Sequence, residues 1–343
     1  MGTRVCGRAV VAMLTMLCIA GSITACGGSD SADGGSTSAD ATSAGGSTSA
    51  DATSAEVTLV VHPEDSPEKH ILDEIYAQAL KAVGYKVKRA SKPSFGVSAD
   101  LEAVKHGQIS GYPEHLSTAL NSDLGIEIED LPSNADAAYR QAKSGFEKQG
   151  LTAFPPTPFG IANAVGMLRK TAEKRGLATD SDLKGQAEEM TIKAPTYCHL
   201  SVECLGGIEA YYHTAFAGVS YERGLSSALS WLRPEPAYLY KVLEDGESDA
   251  SMLFTTDGRL AADKDKFVIL KDDKHVFPAG NVIWVTSPKV VEEAGPKYKR
   301  TIVKVQKGLT LPVMRKLNAL VELEKQSPAK AAAAYLKEAG YTG

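Results

Sequence analysis

The sequence predicts an α/β fold, because strand-like and helix-like patterns alternate along the body of the chain. Residues 57–61 form a run rich in β-branched side chains, which is typical of a buried strand. Apolar residues at helical spacing follow over residues 71–83, and Gly84 is placed to end that helix. Residues 85–89 then alternate between apolar and polar side chains, as a half-buried strand does. The body therefore begins with a β–α–β unit.

The first residues have the composition of an export signal. Two arginines accompany an apolar run over residues 9–20, which is too short to span a bilayer. Residues 23–26 read Ile-Thr-Ala-Cys and resemble the lipobox at which bacterial lipoproteins are processed. We therefore predict a lipoprotein signal peptide at residues 1–25 and lipid attachment at Cys26. An ordinary secretory signal with an incidental cysteine is the alternative.

Residues 26–55 contain almost nothing that a core could bury. The sequence GGSTSADATSA occupies residues 34–44 and is repeated over residues 45–55. Neither copy has an apolar face, so the repetition does not predict a repeat fold. We expect a lipid-anchored flexible tether that lets the body move above the membrane.

Net charge and missing motifs exclude several classes of function. The chain has a net charge of −5 and no basic patch interleaved with aromatic residues, so nucleic acid is not an expected partner. It has no Gly-x-Ser-x-Gly elbow, no His-Glu-x-x-His and no phosphate-cradling loop, so we do not expect an enzyme. No cofactor is predicted, and a monomer is expected.

The cysteines predict one disulfide. Of the five, two lie in the predicted signal and one is the predicted lipidation site, which leaves Cys198 and Cys204. An even pair in an exported protein is expected to form a disulfide. A metal site built from this pair with His199, Glu203 and His213 is the alternative, although the spacing matches no paired ligand pattern.

The stretch from Gly111 to Leu120 is the strongest candidate for a ligand-binding wall. Residues 108–110 resemble a short strand, and a helical pattern begins near Leu116. A strand that turns directly into a helix places polar and aromatic side chains at a carboxyl edge of a sheet, where α/β folds bind ligands. His115 is the most informative residue in this stretch.

Several stretches together resemble one family. They are residues 71–80 with 84–87, Tyr112-Pro113-Glu114 with Ser117-Thr118-Ala119-Leu120, and residues 256–260, 270–275 and 277–278. The second resembles a Tyr-Pro-Glu-Tyr-Thr-Gly-Thr motif. The family is that of the osmoprotectant substrate-binding proteins of ABC importers, which bind glycine betaine, choline, carnitine and similar quaternary amines. The resemblance extends from about residue 57 to the C-terminus.

The resemblance implies a two-lobe, type II periplasmic-binding-protein fold. Lobe 1 would comprise residues 56–158 and 259–343, and lobe 2 residues 159–258. The ligand would bind in the cleft, and the lobes would close over it by a hinge motion. The implied partners are a small-molecule ligand and an ABC permease with its ATPase, and the implied location is extracytoplasmic, at the cell membrane. A ligand sensor that feeds no importer is the alternative.

A quaternary amine places clear demands on its site. The ammonium has no N–H to donate, so aromatic faces must hold it by cation–π attraction. A betaine also carries a carboxylate, which requires Lys, Arg or backbone donors. The candidate ligand-binding residues are Glu64, Tyr112, His115, Thr118, Asn163, Tyr197, Trp231, Phe254 and Asp257.

The chain departs from the family pattern at several of these positions. His115 stands where the motif has its second Tyr, and Asn163 stands where a Tyr is usual. Ser201 replaces an Arg in the cysteine loop, and Glu64 adds an acid. Two aromatic walls, Trp231 and Phe254, are retained. We therefore expect a cation or a larger zwitterion as the ligand, in preference to glycine betaine.

Each candidate also has a purely structural interpretation. Trp231 and Phe254 could be core aromatics, and Glu64 could be a solvated loop acid. His115 could pack locally. Asp257, in Thr-Thr-Asp-Gly, could hold its turn through the side chain.

Overall fold

The computed structural model describes residues 56–61, 67–91, 98–198, 201–222 and 236–341. The predicted signal peptide, the tether and Cys26 lie outside these residues, as do Glu64 and Trp231. None of the described helices has the length and apolar character needed to cross a membrane.

The described strands are β1 Glu56–Val61, β2 Lys86–Ser91, β3 Tyr112–His115, β4 Thr152–Phe154, β5 Asn163–Leu168, β6 Thr191–Pro195, β7 Gly218–Glu222, β8 Ala250–Phe254, β9 Phe267–Ile269 and β10 Val282–Thr286. They form three sheets, in the orders β1-β2, β3-β10-β4 and β7-β6-β8-β5-β9.

Helices alternate with these strands and confirm the α/β prediction. They are α1 Pro67–Ala82, α2 Ala99–Lys105, α3 Leu116–Thr118, α4 Ala135–Lys148, α5 Arg169–Arg175, α6 Leu205–Tyr212, α7 Pro236–Glu244, α8 Arg259–Ala262, α9 Pro288–Ala294, α10 Pro296–Gly308, α11 Leu311–Glu322 and α12 Pro328–Glu338.

The β–α–β opening folds as predicted. Strands β1 and β2 pair in parallel, and α1 connects them. The apolar face of α1 is buried in a core that also contains Trp284 of β10 and Tyr298 of α10. The Trp284 indole N–H donates to the Tyr298 hydroxyl at 3.0 Å, so this buried polar pair is satisfied within the core.

The strand near the motif lies later than predicted. We expected it at residues 108–110, whereas β3 comprises Tyr112–His115 and pairs antiparallel with β10. Pro113 has no N–H to donate to a neighbouring strand, and it is accommodated because β3 is at the edge of its sheet. His115 therefore ends a strand, and α3 begins at the next residue.

The five-stranded sheet includes a segment that we had placed in the other lobe. Strand β9, Phe267–Ile269, pairs antiparallel with β5, although the predicted boundary returned the chain to lobe 1 at residue 259. Leu270 and Phe277 also pack in the core of that sheet, and the chain leaves it near Gly280, before β10. The sequence could not show this, because a three-residue strand carries no sign of which sheet it joins.

Two chain segments that link the sheets run side by side. The Ile161 N–H donates to the Gly280 carbonyl at 3.1 Å, and Gly160 and Asn281 form a β-bridge. A Cβ atom on Gly280 would lie 1.9 Å from the Ile161 carbonyl oxygen. Glycine is therefore required at this crossing by the close approach of the two backbones.

Candidate ligand-binding site

His115 lies in a buried cluster of charges at the end of β3. Its Nε2 is 3.4 Å from Oε1 of Glu68, and its Nδ1 is 3.7 Å from Oε1 of Glu114. Lys69 lies 3.2 Å from the Glu114 carboxylate and is the fourth charged residue of the cluster. Glu68, in the first turn of α1, is 5% exposed, and His115 is 8% exposed. The cluster joins the start of α1 to the end of β3.

The charges in this cluster stabilise one another in ionised form. Burial alone would raise the pKa of Glu114, but the Lys69 charge and the hydrogen bonds and charge of His115 outweigh it and lower that pKa to about 2. Burial likewise opposes ionisation of Glu68, and His115, Thr256 and Asn318 together lower its pKa. Burial would lower the pKa of His115, but Glu114 and Glu68 raise it. The imidazole is therefore biased toward its cationic form.

A hydrogen-bonded chain connects this cluster to the end of β8. The buried Asn318 amide of α11 donates to Glu68 Oε2 at 2.8 Å and to the Thr256 carbonyl at 2.8 Å. Arg315, one turn earlier on α11, donates to the Thr255 carbonyl at 2.7 Å. The segment that follows β8 is thus tied to the helix that fixes Glu68.

Three of the predicted residues meet at one edge of the five-stranded sheet. Strands β6 and β8 run in parallel and end at this edge, and the antiparallel β5 begins there, with Asn163 opposite Phe254. Tyr197 follows β6, and its hydroxyl donates to Asn163 Oδ1 at 3.2 Å. Asn163 Nδ2 in turn donates to the Glu203 carbonyl at 2.7 Å. All three side chains are partly exposed, as a ligand wall requires.

Tyr112 and Asp257 have structural roles. The Tyr112 ring is 1% exposed in a hydrophobic core, and its hydroxyl donates to Asp123 at 2.8 Å. Asp257 is 2% exposed and accepts from the Phe254 N–H at 3.0 Å, so it holds the turn after β8. These contacts argue against a ligand role for both residues.

Thr118, another predicted ligand residue, is half-buried in α3.

Cys198 and Cys204 are joined by a disulfide, with their Cα atoms 5.1 Å apart. The bond closes the loop that carries Glu203, and it therefore supports the Asn163–Tyr197 pair. His199 lies outside the described residues. The described part of the chain contains no group of three or more His, Cys, Asp or Glu side chains that could hold a metal ion.

Sequence reasoning missed two residues of this site. Glu68 was not among the predicted ligand-binding residues, and Asn318 carried no signal because it is 250 positions away from Glu68. The signal for Glu68 was available: an acid in the first turn of a helix that follows a buried strand lies at the carboxyl edge of the sheet.

Residues 57–338 match the family described as the substrate-binding domain of the ABC-type glycine betaine transport system. The chain belongs to this family. It is 30% identical over 290 residues to a glycine-betaine-binding protein of Pseudomonas aeruginosa, covering 82% of this chain and 88% of that one. It is 25% identical over 289 residues to the glycine betaine-binding protein YehZ of Escherichia coli, covering 80% and 88% of the two chains.

Solved structures share the fold of this family member. A glycine betaine/carnitine/choline ABC transporter structure aligns with a TM-score of 0.71 at 21% identity, covering 84% of this chain and 99% of that one. Apo YehZ aligns with a TM-score of 0.69 at 22% identity, covering 85% and 100%. The fold is therefore the two-lobe fold of periplasmic substrate-binding proteins.

Family membership gives the function at a coarse level. The protein is a substrate-binding protein of an ABC importer, and the substrate-binding domains of such importers work outside the cytoplasm. Its family is one of transport proteins, whose members bind a small molecule and deliver it to a membrane transporter.

Proposed function

We propose that the protein captures an organic cation, such as choline, or a larger zwitterion, in preference to glycine betaine. The observation that carries this proposal is the pairing of His115 with Glu68. The position at which related motifs have an aromatic residue holds instead one member of a buried ion pair. The charges of the cluster balance, with His115 paired to Glu68 and Lys69 paired to Glu114, so this wall offers no surplus positive charge to a ligand carboxylate.

The distribution of basic groups supports the same preference. A betaine carboxylate requires Lys, Arg or backbone donors. Lys69, the basic residue beside His115, is already paired with Glu114, and Arg315 donates to the Thr255 carbonyl. Neither cation is left without a protein partner, so a ligand carboxylate would have to compete for them.

The remaining aromatic wall suits the ammonium group. Tyr197 and Phe254 lie at the carboxyl edge of β6 and β8, and both are partly exposed. A quaternary ammonium over such rings gains about 0.5–2 kcal/mol for each good contact, more where water is excluded. Trp231 would add a third ring.

The proposed mechanism involves no covalent chemistry with the ligand. The lipid on Cys26 holds the protein at the membrane, the tether of residues 26–55 gives it reach, and the open cleft captures the ligand. Closure buries the ligand between lobes divided near residues 160 and 280, and docking on the permease releases it. The ligand favours the closed state only by its differential affinity for that state.

Isothermal titration calorimetry tests the ligand preference directly. The purified protein is titrated with choline, glycine betaine, carnitine and ergothioneine in the same buffer. We expect choline or one of the two larger zwitterions to bind more tightly than glycine betaine. Glycine betaine binding most tightly of the four would refute the proposed preference and leave the family assignment unaffected.

A further inference from the structure

Helix α10 has a strongly basic exposed face. The helix contains no Asp or Glu, although the whole chain has a net charge of −5. Its buried side includes Tyr298, Ile302 and Val305, which pack in the core shared with α1 and β10. The other side, which we call the basic face, carries the five exposed cations Lys297, Lys299, Arg300, Lys304 and Lys307. Such a local excess of one sign of charge creates a field that attracts a partner of the opposite sign.

The surrounding protein does not neutralise the basic face. Within the ranges that the structure describes, none of its five side chains is in an ion pair with a carboxylate. Lys297 donates to the Val83 carbonyl at 3.2 Å, which leaves its charge uncompensated. The acids nearest in sequence, Glu292 and Glu293, lie on α9, where Glu293 is 3.8 Å from Lys289. The positive charge is therefore available to an anionic partner.

The basic face also offers apolar surface. An open groove of about 640 Å³ is lined by Val291, Pro296 and Val303 together with four of the five cations. Long Lys and Arg side chains can extend toward charged headgroups while their stems cover apolar area. A surface that combines cations with apolar side chains suits the interface of a bilayer that contains anionic lipids.

The predicted tether joins the body beside the basic face. The tether ends at residue 55, so the chain enters the body at Glu56, which pairs with Lys86 at the start of β2. Residues 82–84, just before β2, line a second groove with three members of the basic face. A flexible chain of about 30 residues has an end-to-end distance of about 30 Å, so a lipid on Cys26 would keep this end of the body near a bilayer.

The basic face is distant from the candidate ligand site along α1. Glu68 lies in the first turn of this helix, whereas Ala82, which lines the second groove, is its last residue. The two positions are about 20 Å apart along the helix axis. Contact at the basic face therefore leaves the cluster around His115 clear.

We propose that the basic face of α10 binds the surface of a membrane that contains anionic lipids. This contact goes beyond the proposed lipid on Cys26, because it fixes which side of the body faces the bilayer. The end of α1 at residues 82–84 is held toward the membrane while the candidate ligand site remains accessible. The contact depends neither on the identity of the cleft ligand nor on lipidation.

Vesicle flotation tests this proposal with the chain lacking the predicted signal, residues 26–343, and carrying Cys26→Ser so that no lipid is attached. All described elements lie within this chain. Vesicles of phosphatidylcholine are compared with vesicles of phosphatidylcholine and phosphatidylglycerol in equal parts. We expect binding only where phosphatidylglycerol is present. Equal binding to both kinds of vesicle, or to neither, would overturn the proposal.

Ionic strength provides a second arm of the same experiment. Raising it from about 0.1 M to about 1 M shortens the Debye length from about 10 Å to about 3 Å, so binding to the anionic vesicles should be lost. Binding that persists unchanged at the higher ionic strength would contradict an electrostatic contact.

Charge-removal variants assign the binding to α10. Each Lys or Arg near an anionic surface strengthens binding by about fivefold, so removing three of them should weaken it at least about tenfold. The test variant combines Arg300→Gln, Lys304→Gln and Lys307→Gln, and the matched control combines Lys170→Gln, Lys174→Gln and Lys184→Gln, all at exposed positions.

The control variant should bind the anionic vesicles as the parent chain does, and both variants should keep the parent's melting temperature and cleft-ligand affinity. Equal weakening by the two variants would show that net charge alone governs the binding and would overturn the proposal. Unchanged vesicle binding in the α10 variant would also overturn it and would leave an acidic protein surface as the partner of this face.

Discussion

Glu68 and Asp180 are both buried carboxylates, and they differ in what surrounds them. Glu68 accepts from Asn318 and pairs with His115, and its pKa is lowered despite burial. Asp180 has no partner among the described residues, and burial next to Asp272 and Asp273 raises its pKa to about 7. Burial is therefore common to both sites, and the partners decide whether the buried carboxylate is held ionised or is biased toward its protonated form.

The largest effect on stability is expected from removing the Glu68 carboxylate, which has partners. Replacing Glu68 by Ala removes one of two acceptors from each of His115 and Asn318, and removing one partner of a buried ion pair costs roughly 3–5 kcal/mol. Chemical denaturation at pH 6 measures this loss. Glu188→Ala, at an exposed position, is the control and should change the unfolding free energy by less than about 0.5 kcal/mol. A loss for Glu68→Ala as small as the control's would mean that the pair contributes nothing.

Removing the neutral partner of Glu68 should cost less. Asn318→Ala deletes the hydrogen bonds to Glu68 and to the Thr256 carbonyl. A hydrogen bond to a charged group contributes about 1.5–3 kcal/mol, so we expect a loss in that range by denaturant unfolding. Because Glu68 and Asn318 share an interaction, the double variant should lose less than the sum of the two single losses. Strict additivity would contradict the coupling.

At Asp180, removal of the charge should stabilise the protein, whereas the substitutions at Glu68 and Asn318 should destabilise it. Asp180→Asn removes a charge that lacks a partner among the described residues, and we expect the free energy of unfolding at pH 8 to rise by about 1–2 kcal/mol. At pH 4 the wild-type carboxyl is largely protonated, so the gain should nearly disappear. Denaturant unfolding at both pH values measures the difference. Destabilisation at pH 8 would show that Asp180 has a structural partner.

The pH dependence of wild-type stability should separate the two sites. Glu114 has a lowered pKa, so its contribution is present above about 4.5 and is lost as pH falls toward 2. Glu68, whose pKa is also lowered, contributes in the same direction. His115 has a raised pKa, so its contribution is complete below 6.5 and is lost as pH rises through the higher folded value. Asp180 lowers stability as pH rises from 3.8 to about 7. Unfolding measured across this range should show a maximum near pH 5, and Asp180→Asn should flatten the slope above it.

The sequence predicted what depends on local pattern. The β–α–β opening followed from periodicity, and the structure confirms it. The motif singled out His115, which the structure places in the charged cluster, and its ligand role stays a prediction. The pairing of β9 with β5 and the contact between Asn318 and Glu68 could not be predicted. Both join segments distant in sequence, and short strands or single amides carry no local sign of their partners.

Tyr112 illustrates a different limit. The motif suggested an aromatic wall, but all four residues of β3 are buried, and the Tyr112 ring packs into a hydrophobic core. The predicted strand at residues 108–110 ended before Tyr112, so the prediction left this ring outside the strand. The motif identified the right segment and did not show which way its side chains point.

Choline affinity measured by calorimetry for wild type and His115→Tyr tests most directly the claim that this position faces the ligand. A tyrosine ring at position 115 should add a cation–π contact and tighten choline binding by about fivefold to thirtyfold, which corresponds to about 1–2 kcal/mol. His106→Tyr makes the same substitution at an exposed site just after α2, with the His106 side chain 70% exposed, and should leave the affinity unchanged. Equal choline affinity in wild type and His115→Tyr would contradict the account, because it would mean that residue 115 does not contact the ligand.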